Sequence, residues 1–325
     1  MNVLITAASR RVPLIRAFMR ALKETNRAGR VITTDVDPLS PGLYVSDLHY
    51  RVSLATAPEY IDQIKAVCRK ENVRLLIPTI DEELPLFGGL REEFSEQGIT
   101  VIISRAEVAE ICNDKYRTYE FFKAHDIPTP ETYLPEVALS NGLSYPLFLK
   151  PRRGRGSVGA YMLHNSRELE FFLDYVQDPI VQCYVGGTEY TIDVLCDFES
   201  TLISAVPRER IVIRSGVTDR GRTRRDPVLI DYAYRIVEAL QPVGPINIQC
   251  KVEDGRPGFL EINPRFSGGI PLTIAAGALF PHWVLDMVEG KRVPPQDGQF
   301  INNLTMMCYE ETIFKHPDEG FSSGP

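Results

Sequence analysis

Cysteine is scarce and scattered in this chain. Cys68, Cys112, Cys183, Cys196, Cys250 and Cys308 include no CxxC pair and no histidine at ligand spacing. That argues against a structural zinc site or a disulfide framework and fits a reducing cytoplasm. The five histidines form no constellation for nucleophilic catalysis. No apolar run reaches membrane-spanning length, so no membrane partner is expected. The stretch from Met1 to Arg11 has one short apolar run and no cleavage signature. Internal repeats, low-complexity tracts and the G-x-x-x-x-G-K-S/T phosphate loop are all missing. Basic residues are outnumbered, for a formal charge of -7, which speaks against a nucleic-acid partner.

What is present is a chain of 325 residues, long enough for two or three compact units. Strand-like runs at Val3–Thr6, Val31–Asp35, Leu75–Ile77 and Thr100–Ile103 alternate with helical spacing at Val12–Leu22 and Tyr60–Cys68. Such alternation predicts parallel βαβ units, with a first domain at residues 1–108. An aromatic-rich helix, Tyr116–Lys123, then opens a different pattern. Strands are expected at Leu147–Lys150, Ala160–Leu163 and Ile180–Gln182, with a helix at Ser166–Val176. From Glu189 the signals are mostly β, interrupted by a helix at Leu229–Leu240.

The strongest local signal is a hairpin from Ile246 to Asn263, turning at Asp254-Gly255. Side chains alternate faces along a strand, so Glu261 and Asn263 share one face and Leu260 and Ile262 the other. Gln249 reaches the polar face from the neighbouring strand. Three oxygen-bearing side chains beside a sheet suit a hard cation such as Mg²⁺. The Pro264-Arg265 that follows adds a cation where phosphate oxygens would lie.

Glu261-Ile262-Asn263-Pro264-Arg265 resembles the metal-binding E-x-N-x-R motif of ATP-grasp enzymes. Asn247-Ile248-Gln249-Cys250 is similar to the preceding strand of the carbamoyl-phosphate synthase large subunit, where a Gln is also a ligand. Asn113-Asp114-Lys115 resembles the start of the ATP-grasp domain, and Pro146–Pro151 the strand bearing its second phosphate-binding lysine. Gly187–Asp193 resembles the segment after the adenine hinge. The resemblance implies a Rossmann-like parallel-sheet domain followed by a two-lobed ATP-grasp domain, α/β and α+β in class. The small lobe with its Gly/Arg-rich loop is placed at 109–185 and the large lobe at 186–325.

The resemblance also implies site residues. Gln249, Glu261 and Asn263 would hold Mg²⁺, with Mn²⁺ able to substitute. Lys115, Lys150, Arg153, Gly154, Gly156, Ser157 and Gly159 would hold ATP phosphates. Val181, Gln182, Cys183 and Val185 would line the adenine hinge, with Gln182 facing the ribose and Glu189 a further polar contact. Arg265, Arg214 and Arg222 are candidates for the γ-phosphate or the substrate carboxylate. Arg10, Asp81 and Glu82, at strand ends or a helix start, are candidates for the acceptor site. Gly154–Gly159 spells G-x-G-x-x-G, but a strand rather than a helix is expected next, against a dinucleotide fingerprint.

The implied activity is a carboxylate-amine ligase working through an acyl phosphate on a small-molecule acid and nucleophile. Two alternatives stand beside it. One is a single-unit or split carbamoyl-phosphate synthase component using bicarbonate or carbamate, alone as a homodimer or with a partner subunit. The other is a non-catalytic nucleotide-binding module.

Overall fold

The first hundred residues form a parallel sheet. The structure is a computed structural model and describes residues 1–140, 142–154, 156, 158–296 and 298–316. Strands β1 (Asn2–Ile5), β2 (Val31–Asp35), β3 (Leu48–Arg51), β4 (Val73–Ile77) and β5 (Thr100–Val101) lie in the order β3-β2-β1-β4-β5, all parallel. Within β1, Val3 and Ile5 enter one core with Phe18 and Phe280, while Leu4 enters another with Ile32 and Ile64. Both faces are apolar, as a sheet covered on two sides requires. β3 is not legible in advance because Leu48-His49-Tyr50-Arg51 lies at the sheet edge and is half polar.

Two antiparallel sheets follow. The smaller contains β6 (Thr132–Tyr133), β7 (Leu147–Pro151), β8 (Tyr161–Leu163) and β9 (Pro179–Cys183), ordered β6-β9-β7-β8. The larger contains β10 (Thr188–Cys196), β11 (Leu202–Arg214), β12 (Val217–Thr223), β13 (Gly244–Glu253), β14 (Arg256–Asn263) and β15 (Thr305–Met307), ordered β14-β13-β10-β11-β12-β15. Parallel and antiparallel sheets in one chain give the expected α/β and α+β class.

The core under the parallel sheet continues into the large sheet. Phe266 and Ile270 belong to the same cluster as Val3 and Phe18, and the Phe18 and Phe266 rings meet edge-on at 5.8 Å. This shared packing sets the loop after β4 beside the loop after β14. A helix at Pro227–Leu240 covers the apolar face of the large sheet, where Leu229, Ala233 and Ile236 pack with Ile192, Ile248 and Ile262. The opposite face packs Leu195, Ile203 and Val206 into the core shared with the parallel sheet and carries Gln249, Glu261 and Asn263 beyond it.

Beneath the ends of β1 and β4 lies a buried carboxyl, Glu83. Thr6 Oγ1 donates to its Oε2 at 2.8 Å, the Thr79 amide donates to the same oxygen at 3.3 Å, and the Tyr60 hydroxyl donates to Oε1. Burial outweighs these donors and pushes the group up to about 7. The folded state then holds a proton that the unfolded chain has released. Its stabilising contribution is present below the ordinary carboxylate range and is lost as pH rises through 7. Unfolding titrations should show stability falling by about 3 kcal/mol over that window. Glu83→Gln should flatten this part of the profile; an unchanged slope would show that Glu83 stays ionised.

Candidate active site

The hairpin β13–β14 turns at Asp254 (φ 48°) and Gly255 (φ 76°), the left-handed pair that a tight two-residue hairpin needs. Gln249 stands opposite Glu261, and Asn247 opposite Asn263. The register shifts after Gln249, so Cys250 pairs with Phe259 and Leu260 is left unpaired. That bulge resets the alternation. Phe259 and Ile262 enter the core, while Leu260 is only half-buried, a correction to the expected Leu260–Ile262 pair.

The polar face therefore gathers Gln249, Glu261 and Asn263. Asn263 Nδ2 donates to Glu261 Oε1 at 3.3 Å, and Arg210 Nη1 donates to Gln249 Oε1 at 3.3 Å. Among the described residues, no group of three or more His, Cys, Asp or Glu side chains could hold a metal. The set is one carboxylate and two neutral amide oxygens. It fits a hard divalent cation that draws the rest of its shell from phosphate oxygens and water.

Two lysines approach the same cleft, which is lined by Asp81, Lys115, Gly154, Glu261, Asn263 and Pro264. Lys115 begins the helix Lys115–Ala124, and its Nζ donates to the Gly154 carbonyl at 2.8 Å. Lys150, near the end of β7, is 8% exposed and donates to Gln182 Oε1 at 3.2 Å. Burial pulls its ammonium down to about 8, against the attraction of Glu261 and with help from Lys115. Such a lysine is poised to gain a phosphate partner.

Asp114 is a residue whose full role the sequence does not disclose. It caps the Lys115–Ala124 helix by accepting from the Tyr116 and Arg117 amides. The same carboxylate takes both bonds from Arg152 Nε, at 2.7 and 2.8 Å, and pairs with Arg153 at 3.5 Å. Burial opposes its charge, but Arg152 and the two amides win and hold it below the usual range. Asp114 thus ties the root of the glycine-rich loop to the helix carrying Lys115. Gly154 (φ 117°), Gly156 (φ 68°) and Gly159 (φ 73°) all take the left-handed region there. Ser157 and Arg155 lie outside the described residues.

Several expected residues are not brought to this cleft. Gln182 is 5% exposed, and its amide is held between Lys150 and Thr132 Oγ1, inside the small sheet rather than facing a ribose. Val181 is fully buried in the core of that sheet. β9 is paired on both edges, and the Cys183 amide donates to the Glu131 carbonyl, so the ladder runs to Cys183. The connection beyond it leads through Val185, whose carbonyl accepts from Lys251 Nζ at 3.0 Å.

The arginines sort differently from expectation. Arg214 is exposed and pairs with Glu310 and Asp219, and Arg222 pairs with Glu209. The cause is register. β11 carries shifts after Arg210 and after Val212, and these break the alternation that would align Arg214 with Arg210. Arg222 lies opposite Glu209, which has neighbours on the other face from Arg210. Arg210 instead reaches the polar face, where it also donates to Glu189. Beside it Arg208, 1% exposed, forms a two-pronged pair with Asp193 at 2.7 and 3.0 Å.

Arg265 meets Asp81 from the loop after β4, with Nε to Oδ1 at 2.5 Å and Nη2 to Oδ2 at 3.3 Å. Asp81 is buried, whereas Glu82 and Arg10 are exposed. Arg11, next to Arg10, turns inward and donates to the carbonyls of Thr79 and Phe266 at 3.0 and 3.4 Å. Two arginine contacts thus join the parallel sheet to the segment after the β13–β14 hairpin. No helix among the described residues is long and apolar enough to cross a membrane.

Comparison with known proteins gives two family matches. Residues 176–309 match the family described as ATP-grasp in the biosynthetic pathway with Ter operon, and residues 3–102 match the PylC-like N-terminal domain. The arginine-specific large chain of carbamoyl phosphate synthase from Halalkalibacterium halodurans is 25% identical over 295 residues, covering 84% of this chain and 27% of that protein. The chain thus spans about a quarter of that relative's length. Among solved structures, the biotin carboxylase domain of 2-oxoglutarate carboxylase from Hydrogenobacter thermophilus, in complex with MgADP, ADP and bicarbonate, superposes with a TM-score of 0.74. It is 18% identical, with 93% of this chain and 73% of that one covered. The L-amino acid ligase of Bacillus licheniformis gives 0.69 at 16% identity, covering 89% and 74%. At these identities the structural likeness is one of fold. The chain thus carries a region that matches the PylC-like N-terminal domain and, after it, a region that matches an ATP-grasp family, and it resembles the carbamoyl phosphate synthase large chains.

Proposed function

We propose that the chain is a Mg²⁺- and ATP-dependent ligase that activates a small carboxylate as an acyl phosphate for attack by an amine or similar nucleophile. The observation that carries this is the convergence of Lys115, Glu261 and Asn263 on one cleft, with Lys150 and Arg265 beside them. In the first step a carboxylate oxygen bonds to the γ-phosphorus, the bond to the β–γ bridging oxygen breaks, and ADP leaves. In the second step the nucleophile bonds to the acyl carbon, inorganic phosphate leaves, and the amine gives up a proton. A divalent cation, Mg²⁺ or Mn²⁺, supplies charge neutralisation for the β- and γ-phosphate oxygens when bound. Glu261, Asn263 and Gln249 would hold that cation. Lys115 and Lys150 place positive charge along the phosphates, and Arg265 stabilises charge between the reacting groups. Positioning and charge suffice for such a step, without a protein nucleophile.

The same reading divides the chain at residues 108 and 185, with the acceptor site between the parallel sheet and the segment after Arg265. A second reading is a carbamoyl-phosphate synthase component, supported by the curated relatives and by the share of their length the chain spans. An ADP-release screen against amino acids, small acids and bicarbonate, with and without an amine, separates the two. The ligase reading expects ADP to depend on one organic acid. Dependence on bicarbonate instead supports the synthase reading, and no acid-dependent ADP at all removes both.

A further inference from the structure

The turn between β11 and β12 touches both sides of the cleft. On one side, a Cβ placed on Gly216 would lie 2.6 Å from Gly156 Cα, so the turn meets the glycine-rich loop backbone to backbone. On the other, a Cβ placed on Gly268 would lie 2.7 Å from Val217 Cγ1, so the same turn abuts the segment that follows Arg265. Two adjacent residues therefore span from the nucleotide loop to the acceptor loop.

Arg210 holds this turn to the metal face. Its side chain is 6% exposed and uses its whole fork. Nη2 donates to the Gly216 carbonyl at 2.7 Å and Nε to Thr218 Oγ1 at 3.3 Å. Nη1 donates to Gln249 Oε1 at 3.3 Å and to Glu189. A planar guanidinium bonded at both ends transmits displacement in a way a flexible ammonium does not. A cation held at the Gln249 oxygen would repel Arg210, which bonds to the same atom. Such a displacement would pass through Nη2 to Gly216 and on to Gly156 and Val217.

We propose that Arg210 is a positioning residue that couples cation-nucleotide binding at Gln249 to ordering of the acceptor loop 266–270, through the 215–217 turn. This rests on the nucleotide-binding reading above. It adds a link that none of the phosphate-contacting residues supplies.

Amide hydrogen exchange with Mg²⁺ and a non-hydrolysable ATP analogue tests it. In the wild-type protein the analogue should slow exchange at residues 113–117 and, about tenfold, at 266–270. Arg210→Lys keeps the charge and loses the fork. It should retain protection at 113–117 and lose most of it at 266–270. Gly216→Ala keeps the Arg210 side chain but forces the turn that Arg210 holds away from Gly156. It should give the same split, and it serves if Arg210→Lys fails to fold. Full protection at 266–270 in both variants overturns the coupling. Loss at both segments also overturns it, because Arg210 would then bind nucleotide itself. Wild-type protection at 113–117 alone removes the coupling and leaves the nucleotide reading intact. No protection anywhere removes the nucleotide reading as well.

Discussion

Glu261→Gln should lower acid-dependent ADP formation by about two to three orders of magnitude. The change preserves size and hydrogen-bonding capacity and removes the one carboxylate among the three candidate ligands Gln249, Glu261 and Asn263. Gln249 and Asn263 remain, but two neutral oxygens hold a divalent cation against phosphate poorly. The fold should survive. Glu261 is half-exposed, and the apolar side of its strand rests on Phe259 and Ile262, which the substitution does not touch. Melting temperature without nucleotide should therefore change little. The rise in melting temperature on adding Mg²⁺ and an ATP analogue should shrink, because that rise follows affinity. Asn263→Asp should be milder, since it adds an oxygen ligand of higher charge. Turnover at the wild-type rate in Glu261→Gln would remove Glu261 from the site.

Lys150 gives the second large effect, and it depends on pH. The free protein holds this ammonium at about 8, and a bound phosphate raises that value. Nucleotide binding above pH 8 must then take up a proton. Affinity for the Mg²⁺-analogue complex should be flat below 8 and fall about tenfold for each further pH unit, until the value of the bound state is reached. Lys150→Ala should bind about 10- to 100-fold more weakly at pH 7, the loss of one charge-assisted hydrogen bond, and should lose the pH dependence. The ligand-free protein has the opposite tendency. With its value depressed by burial, Lys150 destabilises the fold while charged, and stability should rise as pH climbs from 8 toward the ordinary lysine value. Calorimetric titrations at pH 7 and 9 check the affinity, and denaturant unfolding of the ligand-free protein from pH 8 to 10 checks the stability. A wild-type affinity that does not fall by pH 9 would show that Lys150 does not meet the phosphate.

What the sequence discloses follows from how local each signal is. The hairpin is legible because alternation and the Asp254-Gly255 turn lie within a few residues of each other. The parallel sheet is legible, β3 apart, because apolar runs in β1, β2 and β4 are separated by helical spacing. β12 is not. Val217–Thr223 contains Asp219, Arg220, Gly221 and Arg222, a composition poor in strand formers, and it becomes a strand by pairing with β11 and β15. Arginine placement fails for a related reason. Faces can be counted along a regular strand, but the shifts after Arg210 and Val212 reset the count, so Arg210 reaches the metal face and Arg214 leaves it. Leu260 is displaced by Phe259 through the same device. Gln182 is a tertiary effect: its amide bonds to Thr132, fifty positions away, and to Lys150. Asp114 is partly legible as a helix cap, but its pairs with Arg152 and Arg153 depend on where β7 ends.

The proposed activation has a carboxylate oxygen attack the γ-phosphorus of ATP. Isotope transfer tests it most directly. The acid found in the ADP-release screen is labelled with ¹⁸O in its carboxylate and turned over with Mg²⁺, ATP and the nucleophile. The released inorganic phosphate is then analysed by mass spectrometry. Attack through carboxylate oxygen places one labelled oxygen in each phosphate, carried there when the acyl phosphate is opened by the nucleophile. Phosphate free of label, formed at the rate of ligated product, would contradict the acyl-phosphate account.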